Sequence, residues 1–211
     1  MKFRIAKNSD IKMLSELHFE AGKIQPNGYM YKLGLPFLKI YYKLLVNEKN
    51  SLVIVAENKD SIICGFCAGT FVAEEHIKTL KKSRLKIAIS LIPSIIKSPQ
   101  LILSILARNK FINSNGKSSD ISISSGPRFE YWAWSSANTN PFMAISLLKF
   151  WLKIMFNFGV NSVKAEVDIA NSDILKLHQK LGAHIIKEIT LSDGRKRVHI
   201  EYTNNELITK L

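Results

Sequence analysis

The sequence predicts an α/β domain of the mixed, α+β kind, with about seven strands, flanking helices and one helical insertion. Three observations predict it. Segments that alternate apolar and polar residues recur between segments of helical period, in the order β-α-α-β-β, insertion, β-α-β-α-β-β. Two strand pairs close on short polar turns, around Lys59-Asp60 and Asp193-Gly194, both hairpin signals. Residues 74–126 break the rhythm, so the chain reads as a single domain, 1–211, carrying an insertion there.

FRIAK (3–7) alternates as a short strand. Ser9 is placed to cap a helix over 10–22, with Ile11, Leu14, Leu17 and His18 at helical spacing. PFLKIYYKLLVN (36–47) predicts a second helix, with Pro36 in its first turn. SLVIVAEN and SIICGFCAGTFV follow as a hairpin. In the insertion, 87–107 is apolar but interrupted by Pro93, Lys97, Pro99 and Gln100. This suits two short helices on a protein or bilayer surface better than a membrane span. The Ser-rich stretch 113–126 reads as a linker. RFEYWAW (128–134) is an aromatic strand.

The helix over 142–158 confines Ser146, Lys149, Lys153 and Asn157 to about 80° of its wheel, at about 100° per residue. Almost everything else on it is apolar, so the helix must be covered on more than one side. The insertion, a second subunit or lipid must complete what the sheet begins, and the chain's own insertion is the first expectation. SVKAEVDI (162–169) is a strand, and NSDILKLHQKLGA (171–183) is a helix with Asn171 or Ser172 as its cap and Gly182 at its end.

The 211 residues suit one sizeable domain, and 46% hydrophobic content with 22% charge excludes a disordered chain. The net charge of +13 points to an anionic partner: nucleic acid, a phospholipid surface or a phosphorylated small molecule. Neither zinc-finger spacing nor an RNP-type strand accompanies it, so no specific nucleic-acid partner is expected. Peripheral membrane contact through 78–107 and a homodimer both stay open. MKFRIAKNSD turns polar too soon for a secretory signal, so the expected location is the cytoplasm, with the inner membrane face open. Cys64 and Cys67 form a CxxC whose flanks read as strand. They lie on opposite faces, and no second Cys or His pair makes a metal site.

WAWSSANTNPFMAISLLKF (132–150) joins a strand to a helix through a loop, an arrangement that often binds phosphate through backbone N–H groups. Such loops usually carry glycine; this one carries Asn140, Pro141, Phe142 and Ala144.

The element order, together with NSDILKLHQKLGA, resembles the GNAT superfamily of acyl-CoA-dependent N-acetyltransferases. The run from Asn171 to Leu181-Gly182 matches the family's ending without gaps. IAKNSDIKMLSELH and GFCAGT are similar to its opening and its early hairpin. The resemblance implies a mostly antiparallel central sheet and acetyl-CoA, or another acyl-CoA, as co-substrate. The acceptor would be an amine of a small molecule, amino sugar or peptide.

It places the pyrophosphate turn at Thr139-Asn140-Pro141-Phe142-Met143-Ala144, where Thr139 replaces a basic residue and Phe142 a glycine. It implies that amides around Trp134 and Ser135 polarise the thioester carbonyl, that Asn171 contacts the cofactor, and that His178 stands where the family's acidic tyrosine stands. For the base, Glu130 is expected beside Trp132 and Trp134 on a desolvated face, with Asp168 second. A salt-bridged Glu130 and a His178 without a role stay open. Tyr29 and Tyr31 are candidates for the acceptor wall. The competing reading is a non-catalytic scaffold whose cofactor site is filled by Phe142 and its neighbours.

Overall fold

Alternating β-branched and aromatic segments build one seven-stranded sheet, in the order β1-β2-β3-β4-β5-β7-β6. The strands are β1 (Lys2–Ile5), β2 (Ser51–Glu57), β3 (Ile63–Thr70), β4 (Arg128–Trp134), β5 (Ser162–Asp168), β6 (His184–Thr190) and β7 (Lys196–Thr203). Every neighbouring pair is antiparallel except β4 and β5, which run parallel. The computed structural model describes residues 1–25, 28–106, 123–135, 137, 140–191 and 194–204.

Side chains of alternate residues feed two cores, one on each face of the sheet. On one face, α6 (Pro141–Asn157) and α7 (Ser172–Lys180) cover Leu52, Ile54, Cys67, Phe129, Val163 and Ile200. Trp151 of α6 is the largest fully buried side chain there, and its Nε1 donates to the Leu52 carbonyl (2.9 Å). Gly69 lets it lie against the sheet, since a Cβ there would stand 2.4 Å from the indole. On the other face, α1 (Ile11–Ile24) and α2 (Gly34–Val46) cover Val53, Val55, Phe66, Ala68 and Ala133.

The insertion forms α3 (Ala73–Lys82), α4 (Arg84–Lys97) and α5 (100–106 among the described residues). Pro93 does not break α4. The sequence pattern gave no sign of α3, whose first turn carries Glu74 and Glu75 and whose last carries Lys81 and Lys82. The expected linker lies largely outside the described residues.

Two expectations are corrected here. Asp10, not Ser9, organises the start of α1: its carboxylate accepts the Lys7 N–H (2.7 Å) and pairs with Arg4 (2.7 Å). The described residues of the insertion do not cover α6. Leu80, Ile87, Leu91, Ile95, Leu101 and Ile105 pack into the core of α1 and α2, on the opposite face of the sheet. The free flank of α6 leans on Phe3 through Phe150 (ring centroids 5.3 Å), and Phe150 stays 37% exposed.

Cys64 and Cys67 are free and buried, more deeply than a one-sided sheet would allow, because helices cover β3 on both faces. Burial pushes the Cys67 thiol pKa well up.

Candidate functional site

Parallel β4 and β5 share a single register pair, Arg128↔Lys164, supported by the Lys164 N–H donating to the Pro127 carbonyl (3.2 Å). Beyond it the strands diverge, opening a V toward their C-terminal ends. Each strand then leads into a helix, β4 into α6 and β5 into α7, so both helices start on the side of the sheet where the strands' C-terminal ends lie. Partial positive charge and unsatisfied N–H groups collect there, the setting that binds an anion.

The β4 wall is set by its pairing with β3. The Ser135 N–H donates to the Cys64 carbonyl (2.7 Å) while Gly65 faces Trp134. That geometry makes Gly65–Trp134 a non-hydrogen-bonded pair, so the Trp134 N–H is directed to the other edge, the side of the opening. Of the two amides expected to polarise a carbonyl, Trp134 therefore has the right direction and Ser135 is already engaged. Gly65 matters locally: a Cβ there would lie 2.3 Å from the Trp134 ring and 2.8 Å from the Ala133 carbonyl oxygen.

Thr139, the first residue of the expected pyrophosphate turn, lies outside the described residues. Asn140 caps α6, its side chain accepting from the Met143 N–H (3.4 Å). Pro141 offers no donor. Phe142 is 76% exposed and so does not plug the cleft, while Ala144 is buried beneath the helix. Among the described residues of the turn, Phe142 leaves the cleft unplugged, while Asn140 occupies one of the amides a phosphate would use.

On the β5 side, the Asp168 side chain accepts the Ala170 N–H (3.0 Å) and its carbonyl accepts the Asn171 N–H (2.9 Å), shaping the turn into α7. Asn171 is the cap residue of α7, yet its side chain makes no capping bond to the helix. His178 is buried at 3% exposure on the inward side of α7. Its ring packs edge-on to Phe129 and Trp132, and its Nδ1 is hydrogen-bonded to the Tyr202 hydroxyl (2.5 Å). Burial lowers its pKa to about 4. At pH 7 about one molecule in a thousand then carries the imidazolium that a strong acid needs. Nearby, the Trp132 Nε1 is buried and has no hydrogen-bond partner among the described residues.

Glu130 departs most from expectation. The β3–β4 register runs Ala68↔Tyr131 and then Gly69↔Phe129, leaving Glu130 as the extra residue of a β-bulge. The bulge turns Glu130 and Tyr131 to the α1/α2 face, while Trp132 and Trp134 pack on the α6 face. The expectation that these tryptophans share its face is corrected for this reason. The Glu130 carboxylate accepts from Arg128 Nε (2.7 Å), forms an ion pair with that guanidinium and accepts from the Tyr41 hydroxyl (3.2 Å). This is the salt-bridged alternative, and both oxygens are engaged.

The loop carrying Tyr29 and Tyr31 is tied to the same strand, because the Tyr131 hydroxyl donates to the Gln25 carbonyl oxygen (3.3 Å). Tyr31 packs on Gly22 and against Phe19, as part of the fold around α1. Between them, His18 stacks on Tyr131 (ring centroids 3.5 Å) and its Nδ1 binds the Tyr42 hydroxyl (2.6 Å). Sequence reasoning missed Tyr202, Tyr41 and Arg128 as site partners. The sequence does hold one pointer, the Arg-x-Glu spacing in RFE, which sets two opposite charges two residues apart on an aromatic strand. Among the described residues no group of His, Cys, Asp and Glu side chains could hold a metal ion.

No family model and no curated protein matches the sequence. Solved structures do. A ribosomal-protein-alanine N-acetyltransferase from Brucella melitensis matches at a TM-score of 0.60 and 11% identity, over 96% of this chain and 99% of that one. A spermidine N-acetyltransferase from Vibrio cholerae matches at 0.60 and 8%, over 100% and 99%. A putative acetyltransferase from Salmonella typhimurium, solved with acetyl-CoA, matches at 0.52 and 11%, over 96% and 93%. At such identities the likeness is one of architecture: this chain has the fold of the N-acetyltransferases its sequence resembles, end to end.

Proposed function

We propose that the protein is a divergent GNAT enzyme that transfers an acetyl or other acyl group from acyl-CoA to an amine of a small molecule, amino sugar or peptide, in the cytoplasm. One observation supports this reading: β4 and β5 share a single register pair before each leads into a helix, and Phe142, in the first turn of α6, is turned out to solvent.

The cofactor's pyrophosphate sits at the start of α6, among Thr139, Asn140, Phe142, Met143 and Ala144. Asn171 holds the cofactor from the β5 side. The Trp134 N–H polarises the thioester carbonyl, the amine attacks that carbon, the C–S bond breaks, and the proton the amine loses ends on the departing sulfur as the free CoA thiol. His178 acts as a neutral hydrogen-bond donor toward the leaving sulfur when Tyr202 donates to its Nδ1, which leaves the proton on Nε2. Glu130 serves the amine side through its contact with Tyr41 and Arg128.

Isothermal titration with acetyl-CoA tests the reading. Micromolar binding is the expected outcome. Absent or millimolar binding removes the transferase and leaves the fold as a scaffold.

A further inference from the structure

α4 turns the apolar side of its wheel outward. Its inward residues include Ser90 and Ser94, whose hydroxyls donate to the carbonyls of Ile87 (2.7 Å) and Leu33 (2.9 Å). Ile87, Leu91 and Ile95 pack with them on the α1/α2 core. The opposite side carries Leu85, Ile89, Ile92 and Ile96, exposed at 71%, 58%, 50% and 74%. At about 100° per residue these four fall within about 60° of one another, where a water-facing helix places its charges. α5 repeats the pattern: Leu101 is buried, while Leu103 and Leu106 are 70% and 58% exposed.

The charges stand at the margins of this face. Arg84, Lys86 and Lys97 flank it on α4, Lys81 and Lys82 precede it on α3, and α4 contains no acidic residue. Exposed aliphatic patches of this kind mark a contact surface. The basic margin says what the contact is.

We propose that the outward face of α4 and α5 docks onto an anionic lipid bilayer. The aliphatic side chains enter the boundary between headgroups and acyl chains, and the lysines and Arg84 meet the lipid phosphates. The helices lie in the membrane plane, because among the described residues none is long and apolar enough to cross. A second copy of this chain fits the face poorly: two-fold pairing would bring both cation sets together on chains of net charge +13, with no carboxylate on α4 to neutralise them. The proposal rests on exposed side chains outside the cleft, so it stands or falls apart from the transferase reading.

The experiment is co-flotation of the full chain with phosphatidylglycerol–phosphatidylcholine vesicles and with pure phosphatidylcholine vesicles. Binding is expected to the first, lost as salt shortens the screening length from about 10 Å at ~0.1 M to about 3 Å at ~1 M. Lys86→Gln with Lys97→Gln should weaken it about fivefold per cation removed. Ile89→Ser with Ile96→Ser, at exposed sites that leave the fold intact by circular dichroism, should weaken it at least about tenfold. Acetyl-CoA titration of the same variants should be unchanged. Three outcomes overturn the proposal: no binding to anionic vesicles, equal binding to both vesicle types, or a stable dimer that the isoleucine variants dissociate.

Discussion

The two faces of the sheet bury the same pair in different company. On the α1/α2 face, His18 binds Tyr42 and stacks on Tyr131, in a core that also holds the Arg128–Glu130–Tyr41 cluster. On the α6/α7 face, His178 binds Tyr202 among Phe129 and Trp132. Burial lowers both imidazoles, to about 3 and about 4, so neither is charged near neutrality. Chemistry alone does not tell them apart; position does. His178 belongs to the helix that begins at the β4/β5 opening, whereas His18 belongs to a helix that closes the other face. A buried histidine is therefore a candidate here for what it faces, and its protonation state gives no hint.

The largest effect should come from breaking the α6 face itself. Trp151→Ala removes a fully buried indole and its bond to Leu52, and should cost about 3–5 kcal/mol in urea unfolding. A smaller loss would mean that α6 contributes less than its burial indicates.

Acid should reveal both histidines together. An unfolded histidine takes up a proton near pH 6.5, whereas buried His178 stays neutral until about pH 4 and His18 until about pH 3. Between those values the unfolded chain binds more protons, so stability falls as the pH falls from about 6.5. His178 alone contributes on the order of 3 kcal/mol of that loss. A denaturant midpoint that stays flat between neutral and mildly acidic buffer would show the rings to be charged or open.

The matched pair Tyr42→Phe and Tyr202→Phe separates the faces. Each leaves a buried ring nitrogen without its partner and should cost about 1–3 kcal/mol. Tyr202→Phe alone should also lower kcat, because it frees the tautomer of His178. Equal activity in the two variants would assign His178 to packing. The smallest effect is reserved for Phe142→Gly. An outward phenyl neither fills nor lines the cleft, so acetyl-CoA affinity should shift by less than about threefold, well under the change from losing one charge-assisted hydrogen bond. A large gain in affinity would place the ring over the pyrophosphate.

Most of the fold was legible because its signals are local. RFEYWAW gave β4 with the observed bounds, and Gly159, at φ +83°, ends the segment after α6 as a glycine should. Positions on α7 were legible by spacing: Asn171 and His178 fall on its cap and its buried face. What was illegible depends on residues far apart in the chain. Tyr41 meets Glu130 across 89 positions, and no spacing rule reaches that far. The side of the sheet on which the insertion packs is likewise a tertiary outcome, since an apolar helix fits either core. Ser9 and Asp10 are both good caps, and only the presence of Arg4 beside Asp10 decides between them.

The additional residue in β4 acts as a change of phase. Upstream and downstream of it, odd- and even-numbered side chains exchange cores, so one short strand can hand Phe129, Trp132 and Trp134 to α6 and Tyr131 to α1. Absorbing that residue into regular pairing, as opposed to neutralising its carboxylate, would send both indoles through the sheet to the wrong side, whereas deleting it would leave them where they are. The wall of the cleft is thus written in the count of residues as much as in their chemistry.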